Sequence, residues 1–419
     1  MPIDSLNPFI NRDDLLNLIR NEFIARDADY VNRRKKVMAN LQQPAAEISA
    51  RQQAGRPATC ATQILLEIKW LANYAEDWSR ADQLLAKLLK VLAEPDHAEL
   101  GQDDEGSWGP CITEPYRKLE PTVDELQGIA ADKPLKPLRF MQGLLDAKAT
   151  LDRLYRLQIS DIRATGVNYR DELGATQTAL SQLIFKDRLR DLFSDRPELK
   201  FDITPELEVS YQDYLQQTQH PRTGYWGPWY RIGGRLLMVQ DLSFTYHTIH
   251  YRAGRVEHWP LIIDSTLEIE KLIYPAGWAP KDLSGPFNDH NNYDVAMIFA
   301  YGWPYMLKSQ KVRVRERLQA MLSWCLTKSI EGGKGFRLNG SSPADAYYFG
   351  VRFLDRVGLW DPAKRFWLHR PPALPAGTPA PHELCVNLLK TFDALNDKSA
   401  ASATVRSILQ TAICTSVQK

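Results

Sequence analysis

Apolar residues recur at three-to-four spacing through most of this 419-residue chain. The alternation that marks strands is scarce, and this contrast limits the fold more than any other feature. In residues 12–41, Leu16, Phe23, Tyr30 and Val37 stand seven apart with Leu15 and Ile19 beside them. The spacing predicts a long amphipathic helix that needs a partner surface and ends before Pro44. Its cluster Arg33-Arg34-Lys35-Lys36 reads as a solvated face. Residues 42–57 are polar and read as a linker. Residues 64–78 and 81–93 carry two helical patterns across a short turn, an αα-hairpin. Helical patterns return at 138–193, 312–329, 344–357, 382–395 and 403–416, and one short strand hairpin is expected at 251–259, turning at Ala253-Gly254. The expectation is an all-α chain, with an N-terminal helix and linker over 1–57 and one helical domain over 58–419.

Composition narrows the function. A formal net charge of +1 argues against a nucleic-acid partner held by bulk electrostatics. No stretch reaches the roughly 18–20 apolar residues that span a bilayer. Cys60, Cys111, Cys325, Cys385 and Cys414 are scattered, with no Cys-x-x-Cys pair, and no secretory signal is visible at the start. Together these predict reduced thiols in a cytoplasmic protein. His-Glu-x-x-His, Gly-x-Ser-x-Gly, P-loop and Gly-x-Gly-x-x-Gly patterns are all missing, so no cofactor is expected.

Two turns repeat. Gln102 to Trp108 reads Gln-x-x-x-Gly-x-Trp, followed by Gly109. Gln219 to Gly227 returns the pattern with one extra residue, and Gly333-Lys334-Gly335-Phe336 is a weaker echo. Glycine permits the tight bend and tryptophan buries a large face, so such a turn clamps helix ends. These turns resemble the QW turns of the terpenoid cyclase and protein prenyltransferase superfamily. That resemblance implies an α/α toroid of paired inner and outer helices, in which the turns tie helices together and do no chemistry. The Asp-x-Asp-Asp acid of the class II cyclases is missing; Asp103-Asp104-Glu105 is the nearest cluster and reads as a solvated loop. Cys325 lacks the Asp-x-Cys context of the prenyltransferase zinc site and reads as a core residue.

Aromatics, imidazoles and carboxylates crowd into residues 223–304. Read as an inner helix, residues 236–252 place His247, His250 and Tyr251 on neighbouring faces, with Arg252 as a nearby cation. Asp289-His290-Asn291-Asn292-Tyr293-Asp294 precedes a helical run, with Asn291 or Asn292 as its N-cap and Asp294 in its first turn. Asp264 also reads as a cap or first-turn residue. His247, Asp289 and His290 are the candidate proton-transfer groups. His250, Tyr251, Arg252, Asn291, Asn292, Tyr293, Trp226 and Trp303 are the candidate substrate contacts. His247 and His250, joined by His258 or His290, have the ligand types for a metal, but His-x-x-His alone is a low-specificity signal and no metal is expected.

Three functions follow. The leading one is an enzyme of general acid-base chemistry in an aromatic-lined toroid cavity, acting on an isoprenoid-like or other hydrophobic, ring-containing small molecule. The second is a carbohydrate-active lyase or hydrolase, because the Asn, His and Tyr set resembles in outline that of toroid polysaccharide lyases, which remove a proton beside a uronate carboxylate. The third is a non-catalytic scaffold whose N-terminal helix docks a protein partner.

Overall fold

The computed structural model describes residues 12–53, 58–72, 76–93, 101–108, 112, 115–129, 133–280, 287–337, 343–395 and 400–417. These are mostly helical, with short strands between. No helix among them is long and apolar enough to cross a membrane. The chain divides into two compact units, one of residues 1–218 and 227–240, the other of residues 219–226 and 241–419.

The first unit opens with α1 (Arg12–Arg26), α2 (Tyr30–Asn40) and α3 (Gln42–Gln53), where one long helix and a linker were expected. The break falls at Asp27, whose carboxylate accepts the Asp29 N–H and the Arg33 side chain. Such local bonds compete with the helix. Pro44 does not end a helix; it lies in the first turn of α3, where a missing N–H costs nothing. These helices are no free arm, because Ile19, Phe23, Tyr30, Val37 and Ile48 share one core with α4 (Thr59–Trp70) and α5 (Trp78–Ala93). Cys60 is disulfide-bonded, contrary to the expectation of reduced thiols.

The unit continues through α6 (Leu119–Gly128), α7 (Arg139–Leu144), α8 (Ala147–Gln158), β1 (Ile159–Ser160), α9 (Ile162–Thr165), α10 (Arg170–Phe185), α11 (Asp187–Asp195) and α12 (Pro205–Thr218). Strands β2 (Trp229–Ile232) and β3 (Arg235–Met238) pair antiparallel across Gly233-Gly234, and β1 runs parallel to β2 with Ile159 opposite Trp229. The helix expected from residue 236 therefore starts later, because Leu236 and its neighbours belong to this hairpin. At the heart of the unit, residues 176–185 of α10 are all buried.

The second unit holds α13 (Leu242–Tyr251), α14 (Trp259–Glu268), α15 (Asp289–Gly302), α16 (Lys308–Trp324), α17 (Pro343–Arg356), α18 (Pro381–Asp393) and α19 (Ala400–Val417). A small hairpin pairs β4 (Ile330–Glu331) with β5 (Gly335–Phe336). The strand hairpin expected at 251–259 is absent. There α13 ends, the chain turns through Ala253 and Gly254 with positive φ, and α14 begins. Asp264 lies inside α14 rather than at its start. Helix α15 is central, packing on α13, α14, α16 and α17, and residues 291–299 are all buried.

The two Gln-Gly-Trp turns are built alike, one in each unit. The Gln102 amide donates to the carbonyls of Gly106 and Lys136, each at 2.9 Å. The Gln219 amide donates to those of Gly224 at 2.9 Å and Glu257 at 3.1 Å. The backbone N–H of Trp108 reaches Thr122 Oγ1 at 3.1 Å, and that of Trp226 reaches Thr245 Oγ1 at 3.1 Å. Gly106 and Gly224 have φ of +89° and +70°. A Cβ on Gly106 would lie 2.1 Å from the Pro137 carbonyl oxygen, and one on Gly224 would lie 2.7 Å from Ile262 Cγ1. Only glycine meets both demands. Gly109 lies outside the described residues.

Candidate functional site

Asp241 starts α13 by accepting the Phe244 N–H at 3.1 Å. Four-residue spacing then pairs the rings along the helix. Tyr246 stacks on His250 at 5.4 Å and 9°, and His247 stacks on Tyr251 at 5.6 Å and 7°. Tyr246 is buried and meets Tyr293 of α15 edge-on at 5.9 Å, with a hydrogen bond between the side chains.

Asn288 caps α15, its side chain accepting the Asn291 N–H at 2.7 Å. Neither Asn291 nor Asn292 is the cap, and Asp289, not Asp294, is the first-turn acid. The displacement matters, because it carries Asp294 a turn deeper. Asp294 is 0% exposed, and neither of its carboxylate oxygens has a hydrogen-bond partner. Burial drives its pKa well above the usual range, and the nearby Arg352 charge only tempers the rise. Burial thus favours the neutral form of the carboxyl.

One turn earlier, His290 brings Nε2 to 3.5 Å from Asp294 Oδ2 while 39% of its own side chain stays accessible. Its ring lies 4.2 Å from that of Phe349 and 5.2 Å from that of Tyr274. Desolvation lowers the imidazole pKa, by less than complete burial would, because that much of the side chain remains open. His290 is neutral around pH 7.

Helix α17 completes the cluster with two arginines four residues apart. The Arg352 guanidinium lies 4.3 Å from the Tyr293 ring centre and 4.6 Å from that of Tyr348, and it donates to the Tyr348 hydroxyl. Arg356 lies 5.2 Å from the Tyr301 ring, and its Nε has no hydrogen-bond partner. Neither arginine forms an ion pair with a described residue. Because burial favours the neutral form of Asp294, that carboxyl offers little countercharge to the half-buried Arg352.

The predicted residues therefore sort into groups. His247, His250, Tyr251, Tyr293 and His290 join one chain of rings, running from His247 through Tyr246, Tyr293 and Phe349 to His290. Arg252 sits at the end of α13, its carbonyl accepting the Arg255 side chain. Asp289 bonds Ser329 and Cys325 in the π-helical turn after α16. Burial raises Asp289 to about 6, and it raises the core thiol of Cys325 as well. Asp289 and His290 thus face different neighbours, as residues about 100° apart round a helix do.

Asn291 is engaged structurally, donating to the Trp278 carbonyl at 2.6 Å. Asn292 is buried with its amide nitrogen unpartnered. Trp226 belongs to the turn, 1% exposed. Trp303 lies by Phe366, with Lys311 and Arg315 each 5.2 Å from its ring. Among the described residues no group of three or more His, Cys, Asp or Glu is placed to hold a metal.

Sequence reasoning missed Arg352, Tyr348 and Phe349. The available signal was Tyr348-Phe349-x-x-Arg352-x-x-x-Arg356 in a helix whose spacing puts both arginines on one face. Comparison of the chain with protein-family models, curated proteins and solved structures finds no match.

Proposed function

We propose that the second unit carries an enzyme site of general acid-base chemistry for a ring-containing small molecule or saccharide unit bearing an anionic group. The observation that carries this reading is Arg352, a half-buried guanidinium between two tyrosine rings with no carboxylate partner among the described residues, on a helix packed against the one that holds His290 and Asp294. A ligand carboxylate would supply the missing countercharge in the bidentate geometry that arginine favours. The rings of Tyr293, Tyr348 and Phe349 offer faces for a sugar or similar ring. His290, neutral and partly accessible, is the proton acceptor; an anion held by Arg352 would raise its basicity toward the useful range. Asp294, protonated beside it, is the proton donor or its store.

These features favour the carbohydrate-active reading over the isoprenoid one. Tyrosine faces suit a carbocation, but the fixed positive charge already on two of them would repel it. The bonded cysteine at position 60 agrees with an oxidising compartment, where acidic polysaccharides lie. The two turns, made with the same hydrogen bonds, support the resemblance to QW turns that their sequence suggests.

The test is to titrate the protein with glucuronate- and galacturonate-containing oligosaccharides and their neutral counterparts, and to follow new double bonds by ultraviolet absorbance and new reducing ends. Acidic sugars should bind at least about tenfold more tightly than neutral ones. Equal affinity for the two, or turnover of neither, would sink the proposal.

A further inference from the structure

The first unit contains a separate pocket of about 510 Å³, bounded by the end of α1, the start of α2, one face of α5, and the segment from α9 into α10. Its volume is in the range of small-molecule sites. Its wall carries two acids and two arginines that are not paired with one another. Both acids in its wall are already neutralised: Asp27 by Arg33 at 3.1 Å, and Glu172 by Arg153 at 2.6 Å. Neither of these partner arginines lines the pocket.

The two arginines that do line it, Arg26 and Arg80, form no ion pair with a described residue, although the Arg80 charge is near enough to the buried Asp77 carboxyl to lower its pKa. Arg26 donates to the carbonyls of Arg163 and Ala164, which orients its guanidinium without cancelling its charge. Arg80 Nη1 is buried from solvent and has no hydrogen-bond partner among the described residues. A buried charged N–H left empty costs free energy that a bound acceptor would recover. The side chains of Tyr169 and Gln83 line the same space and offer neutral hydrogen bonds at its edge.

We infer that this pocket is a binding site for a small organic anion, held by Arg80 and Arg26 through a phosphate or carboxylate group. The site is independent of the one on α15, and a single-charge contact at Arg80 accounts for most of its selectivity.

Calorimetric titration of the full chain with inorganic phosphate, and separately with citrate, tests the inference. At least one should bind with a Kd below about 1 mM, and the stronger of the two identifies the anion class. Arg80→Met should weaken that binding at least about tenfold, and Arg80→Lys by less, because lysine keeps the charge but loses the fork. If Arg80→Met does not fold, Gln83→Leu at the exposed rim should still weaken binding about two- to fivefold. In Arg352→Met, where the site on α15 no longer contributes, the component of binding that depends on Arg80 should remain, which separates this site from the other. No binding of either anion by the wild type, equal affinity in Arg80→Met, or a loss that follows Arg352 instead would each overturn the inference.

Discussion

Helices α10 and α15 hold equivalent places in their units, each with a long run of wholly buried residues, and each carries polar side chains that a buried helix ordinarily avoids. They treat those side chains in opposite ways. On α10, Gln177 donates to the Tyr214 hydroxyl at 2.9 Å, and that hydroxyl donates onward to Gln158, which in turn donates to the Gly227 carbonyl at 2.9 Å. Ser181 meets the Tyr211 hydroxyl at 2.8 Å, and Gln182 accepts from Gln127 at 2.6 Å. Two oxygens are left over, Gln177 Oε1 and, in the first turn, Asp171 Oδ2. On α15, both oxygens of Asp294, one oxygen of Asp289 and the amide nitrogen of Asn292 have no hydrogen-bond partner among the described residues. A network closed on itself specifies packing, whereas polar atoms left open at depth are retained for something else. That difference is the reason we propose α15, rather than α10, as the helix that carries the site.

Substitutions break or sharpen that contrast. The largest effect belongs to Arg352→Met, which should lower affinity for an acidic ligand about 100-fold while leaving the melting temperature within a few degrees; calorimetry and thermal unfolding check both halves. Tyr214→Phe should do the reverse, destabilising the fold by about 1–3 kcal/mol because Gln177 and Gln158 both lose a buried partner, with ligand binding intact. Denaturant unfolding measures it, and an unchanged midpoint would mean that the α10 network is ornamental.

Next comes Asp294→Asn, where the sign depends on pH. The folded-state pKa of Asp294 lies well above its ordinary value of 3.8, so folding takes up protons as pH rises between the two. The penalty for ionising the buried carboxyl is absent below the unfolded value and complete above the folded one. The asparagine variant should therefore match wild type near pH 3.5 and gain stability over it, by about 1 kcal/mol or more, as pH is raised. A gap that stays constant with pH would show that Asp294 is ionised in the fold. The smallest structural effect is expected from His290→Gln. The ring is partly accessible, so stability should shift by under about 1 kcal/mol, while any turnover of an acidic substrate falls at least about 100-fold.

The helical class was readable because apolar spacing survives wherever one helix face is buried, as in α5 and α17. The breaks were harder. Asp27 stops α1 through side-chain bonds that the periodicity does not register, and the Leu236 stretch has apolar residues that serve a strand as well as a helix. The turns at Gln102 and Gln219 were legible to the level of individual residues, because glycine, glutamine and tryptophan each have one job there. At the site, the ring partners of α13 followed from four-residue spacing. The role of Asp294 did not, since capping by Asn288 moved the helix start and turned a first-turn acid into a buried one. Arg352 was invisible for another reason. Our interest in it rests on the lack of a carboxylate partner among the described residues, and only three-dimensional placement shows what a charge does not touch.

The partition of the chain has a consequence for how the protein is made. Residues 219–226 belong to the second unit, yet residues 227–240, which follow them, return to the first and supply β2 and β3. No single cut separates the units. On the ribosome the first unit stays incomplete, with β1 lacking its neighbour, until residue 240 has left the exit tunnel, and by then the opening turn of the second unit has already emerged and must wait for α13. A gene fragment ended at residue 218 would therefore encode a protein missing part of its own sheet, whereas one ended at residue 240 would carry a stranded piece of the other unit as a loop.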